Sequence, residues 1–322
     1  MMELCCIGDL CADLLLPYGE IKQHLRNLKS GNVDYSEVIF QYGGTAGNTC
    51  AVLGKLGSHP YFVSDLCGDR IGRFLSQSMR ELGVNLSWSV ENSEKANMIC
   101  VAVIDENNER VIFPWLPPGS GYPTFSAENL ARIPRWKMLV FTGGMVMNND
   151  PSSMDAVCRV CEELKEAGSV IVFDLNVRSE TYGMNRARKA AYQRMVNCAD
   201  LILGSIEEFA AVTGKEAGEE AVRPILGKGK TVIVRNGSQP VRIYEQGFLT
   251  EVPVRKVSVF HSIGAGDTFN GAFLHALNQG CSCTQATMFA NEIAGYMISH
   301  PGQLAVPADA GKRLEKIRTA DL

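Results

Sequence analysis

The sequence predicts an α/β fold, a mainly parallel sheet covered on both faces by helices. Three observations carry that expectation. From about residue 130 onward, apolar β-branched runs alternate with segments of helical periodicity. Those runs are hydrophobic along their length, as strands buried on both faces must be. Helix punctuation separates them: Asp150 and Pro151 stand ahead of one helical stretch and Gly168 follows it.

The front of the chain reads differently. Residues 12–16, 37–41, 98–105 and 110–115 are short strand candidates joined by turn-rich links such as Glu106-Asn-Asn-Glu109. They are expected to form a small antiparallel sheet apart from the main one. Ile99, Val101 and Val103, with Val111, Phe113 and Trp115, alternate and predict one apolar face that must cover something. Residues 47–57 and 71–82 read as helices between these strands. Farther on, 137–142 reads as a strand and 152–167 as a helix capped by Asp150. A strand at 169–174, a helix at 186–198, a strand at 200–203 and a helix at 206–212 follow. A strand at 231–234 and a helix at 268–277 complete the pattern. Ligands of such sheets bind at the carboxyl ends of the strands.

Composition bounds the function. The chain has 322 residues, with 31 Lys+Arg against 35 Asp+Glu, a net charge of −4. That excess of acid argues against nucleic acid as a main partner, because phosphate neutralisation needs a basic face. The apolar runs 138–141 and 201–203 fall far short of the ~20 residues that cross a bilayer, so no membrane partner is expected. Acids near the N-terminus replace the Lys or Arg of a signal peptide. The 11 cysteines are spread thinly. Cys158 and Cys161 fall on the apolar face of a helix and read as small core residues, and Cys281 and Cys283 lack a second pair at zinc-finger spacing. His24, His59, His275 and His300 have no partners at metal spacing. A reducing compartment, the cytoplasm, is expected.

Two glycine-rich stretches carry chemistry, Gly43-Gly44-Thr45-Ala46-Gly47-Asn48 and Gly264-Ala265-Gly266-Asp267. In the second, glycines free successive N–H groups to face an anion, and the following helix adds its positive dipole end. Asp267 could then take a proton from an attacking hydroxyl; alternatively it merely caps the helix. A dinucleotide GxGxxG fails at Phe269, and a Walker A ending at Gly229-Lys230-Thr231 fails at Pro224.

Together, Gly43–Asn48 and Gly264–Asp267 resemble the signatures of the ribokinase/phosphofructokinase-B carbohydrate kinases. Gly8-Asp9…Asp13 fits that family's opening strand, Asp174-Leu-Asn-Val-Arg178 its central D-x-N-x-R motif, and Ser205-Ile-Glu-Glu208 its N-x-x-E helix start. Phe289-Ala-Asn291 resembles its last nucleotide-side helix. The resemblance spans nearly the whole chain. It implies a ribokinase-like three-layer α/β/α domain over residues 1–322, with a β-sheet lid from about 12–42 and 98–115.

The resemblance further implies an ATP- and Mg²⁺-dependent kinase acting on a primary hydroxyl of a ketose, keto-deoxy sugar or pentose. Asp267 would be the base, and the amides of Gly264, Ala265 and Gly266 the anion hole. Asp13, Gly43, Gly44 and Asn48 match the sugar side; Ser205, Glu208, Gly237 and Asn291 match the nucleotide side, with Glu208 holding Mg²⁺ through water. Arg178 either bridges phosphates or pairs with Asp174. Trp115, Tyr122 and Phe113 either line the sugar pocket or pack within the lid. The family also contains nucleoside kinases, and a catalytically silent sugar-binding regulator is a further alternative. Three departures stand out. His261-Ser262 replace the common Asp-Thr whose Asp serves a monovalent-cation site, so K⁺ activation is not expected. Ser205 replaces Asn, and Pro240 a Gly. Lid-to-lid homodimers occur in the family, and a homodimer closing its lid over sugar is expected.

Overall fold

The computed structural model describes residues 3–17, 39–92, 96–104, 110–115, 133, 135, 138–147, 150–179, 183–227 and 229–320. Tyr122, His24 and the turn 106–109 lie outside these residues. In sequence order the strands are β1 (Leu4–Ile7), β2 (Cys11–Pro17), β3 (Ile39–Gly43), β4 (Tyr61–Val63), β5 (Asp65–Cys67), β6 (Val90–Asn92) and β7 (Ile99–Ile104). There follow β8 (Arg110–Trp115), β9 (Met138–Thr142), β10 (Val170–Asp174), β11 (Leu201–Ser205), β12 (Thr231–Arg235), β13 (Val241–Glu245) and β14 (Phe248–Val252).

The main sheet has the order β14-β13-β12-β11-β10-β9-β1-β4. From β4 to β12 neighbouring strands are parallel, and β12-β13-β14 are antiparallel. Helices α1 (Thr45–Lys55), α6 (Ala265–Asn278) and α7 (Cys283–Ser299) cover one face; α3 (Pro151–Glu166), α4 (Arg186–Cys198) and α5 (Ile206–Thr213) cover the other. Helix α2 (Arg70–Glu81) adjoins the smaller sheet, and α8 (Ala310–Thr319) packs on α7. Strand residues divide strictly by parity: Leu4 and Cys6 enter the α1/α6 core, Cys5 and Ile7 the α3/α4 core. The three-layer α/β/α fold is thus a direct consequence of strands apolar on both faces.

Local signals act as the sequence predicts. The Asp150 carboxylate accepts from the Ser152 amide, Pro151 opens α3, and α4 spans the expected residues. Cys158 and Cys161 are buried on α3, where the Cys161 sulfur meets that of Cys198 on α4 at 3.1 Å. All eleven cysteines are free. The β13–β14 hairpin is not legible as a parallel-sheet element; it turns at Gln246-Gly247, both at positive φ.

The smaller sheet corrects one expectation. Its order is β3-β2-β7-β8, and β2–β7 is parallel rather than antiparallel. The connection between them passes through β3, α1, β4, β5, α2 and β6, and such a return cannot be a hairpin. The pairing sets Asp13 opposite Cys100 and Leu15 opposite Ala102.

Candidate active site

Most polar groups of the site leave the carboxyl end of a parallel strand or the start of a helix facing it, whereas Asp13 lies within β2 and Asn291 within α7. Just past β1, the Asp9 carboxylate accepts from the amides of Thr45 (2.9 Å) and Ala46 (3.2 Å), tying the strand to the first turn of α1. Asp174 ends β10, Asn176 and Arg178 follow it, and Ser205 and Arg235 end β11 and β12. Gly264 is the N-cap of α6 at φ +80, a left-handed conformation that glycine adopts without strain, and no side chain caps that helix. Asp267 is therefore the third helical residue rather than the cap. Its Oδ2 accepts from Nδ2 of Asn48 at 2.8 Å. Burial pushes its carboxyl up to about 6, against the opposing pull of the Asn48 bond and the Arg178 charge.

Two cavities meet at this residue. One, of about 370 Å³, is lined by Asp174, Ser205, Glu208, Arg235, Gly237 and Asn291 among others. The second, of about 170 Å³, is lined by Asp13, Gly44, Asn48, Cys100, Ile112 and Pro114 among others, roofed by the smaller sheet. Asn176, Arg178, Gly264 and Asp267 belong to both walls.

The predicted residues thus gather around one point, with particular adjustments. Gly43 is not on the cavity wall: it lies against Asp13, whose carboxylate would collide with an added Cβ. The Ala265 amide donates to the Ser262 carbonyl at 3.2 Å, so in this state it closes a turn rather than facing the cavity as an anion-hole donor. Ser205 and Glu208 form a reciprocal capping box on α5, and Glu208 also accepts from the Val177 amide at 3.0 Å. Asn291 lines the larger cavity while its Nδ2 donates to the Pro253 carbonyl.

Other readings change. The ion-pair partner of Asp174 is Arg235, at 3.4 Å, which also lies 3.7 Å from Glu208; Arg178 instead donates to Thr45 Oγ1. Burial pushes Asp174 up, with Arg235 opposing. Phe113 and Trp115 do not line the smaller cavity: each is 55% exposed, whereas the interleaved Ile112 and Pro114 face it. Sequence alone assigns no role to Asp9, Asn176 or Arg235. The structure links Arg235 to the glycine turn, since a Cβ on Gly266 would lie 2.5 Å from its Nη1 and the glycine makes room for that guanidinium.

Comparisons with known proteins agree with this fold. The model of the pfkB family carbohydrate kinases matches residues 1–309. A protein named 5-dehydro-2-deoxygluconokinase from Shouchella clausii is 26% identical over 82% of this chain and 83% of its own length. Fructokinase-1 of Oryza sativa subsp. japonica is 27% identical, over 83% of this chain and 84% of its own. The solved structure of fructokinase with bound ATP from Xylella fastidiosa superposes with a TM-score of 0.78 at 20% identity, covering 98% of both chains.

Proposed function

Because the chain belongs to the pfkB family of carbohydrate kinases, we propose that its two cavities divide the reaction, ATP in the larger and a keto-sugar or keto-deoxy sugar in the smaller. One observation carries this reading: Asp267, a buried carboxylate raised toward neutrality, stands on the wall common to both. A primary hydroxyl of the sugar attacks the γ-phosphorus, its proton passes to Asp267, and the bond to the β-phosphate oxygen breaks to release ADP. The dipole of α6 and the first-turn amides ahead of its i→i−4 ladder favour the negative charge of the transferring group. Asp13 and Asn48 accept and donate to sugar hydroxyls, and Asn48 also orients the base. Arg178, on both walls, contacts phosphate oxygens.

Mg²⁺ fits the larger cavity, where the carboxylates of Glu208 and Asp174, beside Asp267, are hard oxygen donors of the kind it takes, Glu208 acting through water. Bound there, the ion would neutralise phosphate charge. With His261-Ser262 ahead of the glycine turn, no K⁺ dependence is expected.

The smaller cavity also favours sugar over nucleoside. Among the described residues its lining includes no aromatic ring on which a base would stack. The free cysteines favour a reducing, cytoplasmic setting, and no helix among the described residues is long and apolar enough to cross a membrane. The exposed face of the smaller sheet favours a homodimer joined through it. An ADP-release assay over fructose, other hexoses, keto-deoxy sugar acids and nucleosides tests the assignment. Turnover confined to nucleosides, or absent throughout, would overturn it.

A further inference from the structure

The roof of the sugar-side cavity carries a second chemical feature. Cys11 and Asp13 are two residues apart on β2 and share a face, and the parallel ladder sets Cys100 of β7 opposite Asp13. Among the described residues this is the one group of three His, Cys, Asp or Glu whose ligand atoms all lie within 4.8 Å of one another. The Cys11 and Cys100 sulfurs are 3.8 Å apart, and the Cys11 sulfur is 3.5 Å from Asp13 Oδ1.

Those two separations, which suit thiol hydrogen bonds, also suit a shared metal ion. A tetrahedral zinc ion with Zn–S of about 2.3 Å and Zn–O of about 2.0 Å requires an S···S edge of about 3.8 Å and an S···O edge of about 3.5 Å. We propose that Cys11, Asp13 and Cys100 form a Zn²⁺-binding site in the sugar pocket, with its fourth position open to the cavity. Two thiolates select a borderline-soft ion such as Zn²⁺ over Mg²⁺ or Ca²⁺, so the Mg²⁺ of the nucleotide side does not compete. The site is open where structural zinc sites are closed, as three protein ligands and a cavity-facing vertex require. Binding exchanges the thiol protons for the metal. It also occupies the Asp13 carboxylate, so metal and sugar exclude one another, and zinc acts as an inhibitor competitive with sugar. That last statement rests on the sugar-pocket reading, whereas the metal site itself does not.

Cobalt titration of the full-length protein under a non-thiol reductant tests the site, since tetrahedral Co²⁺ bound by thiolates shows sulfur-to-metal charge transfer and intense visible bands. One equivalent is expected to bind with both signatures and to be displaced by Zn²⁺. Cys100→Ser and Cys11→Ser should each weaken Zn²⁺ binding at least tenfold, with circular dichroism confirming the fold. Cys283→Ser, on α7, should leave it unchanged. Tetrahedral bands that persist in both variants, or no bands in the wild type, would overturn the site. Adding the best acceptor of the substrate panel should weaken Zn²⁺ binding tenfold or more. Cys100-dependent binding that ignores this acceptor would overturn the exclusion of sugar by metal.

Discussion

At the residue scale the proposed chemistry converges on the pair Asp267–Asn48. A general base must be ionised to accept a proton, and burial holds Asp267 near 6 rather than in the ordinary carboxylate range. The rate should therefore be full well above pH 6 and fall as pH drops through that value, giving an acid limb in kcat/KM at about pH 6. The Asn48 amide donates to the charged form and so depresses the pKa. Asn48→Ala should move the limb to higher pH, and a limb left in place would detach Asn48 from the base. Asp267→Asn keeps the shape but cannot accept the proton. It should lower kcat by about 10² to 10⁴ while ATP binding, followed by calorimetry, persists.

At the scale of elements, the arrangement of β2, β7 and α1 shapes the smaller cavity, the proposed sugar side. Asp13 reaches the cavity because Gly43 on β3 offers no side chain against it. A hydrogen bond to a charged group contributes ~1.5–3 kcal/mol, so Asp13→Ala should raise the sugar KM roughly tenfold or more. The KM for ATP should move far less, since Asp13 does not line the larger cavity. Equal changes in both constants would indicate a general loss of fold. Helix α5 shows an element whose sequence motif has a local structural use as well: Ser205 and Glu208 satisfy each other's backbone groups while remaining on the wall of the larger cavity. Ser in place of the family's Asn keeps that capping intact, because either residue offers an oxygen acceptor at the N-cap.

At the scale of the molecule, the smaller sheet has two faces with different tasks. Asp13, Cys100, Ile112 and Pro114 face the cavity, whereas Val111, Phe113 and Trp115 are more than half exposed, at 58%, 55% and 55%. A patch of this kind on a sheet marks an association surface. Light scattering at micromolar concentration should therefore report a homodimer, and Phe113→Lys should shift it toward monomer. A monomeric wild type would remove the lid-to-lid arrangement.

Short-range physics made much of this readable from sequence. Strand parity, the Asp150 cap, the β-branched runs and the glycine turn before Asp267 each depend on neighbours within a few residues, and each recurs in the structure. Only the tertiary structure decided which distant groups meet. Asn48 reaches Asp267 across 219 residues, Arg235 rather than Arg178 pairs with Asp174 across 61, and Cys11 meets Cys100 across 89. A period-two pattern shows that a strand has an apolar face but not which way that face turns, so the cavity went to the face of Ile112 and Pro114. Those outcomes rest on strand order and register, which no local window of residues contains.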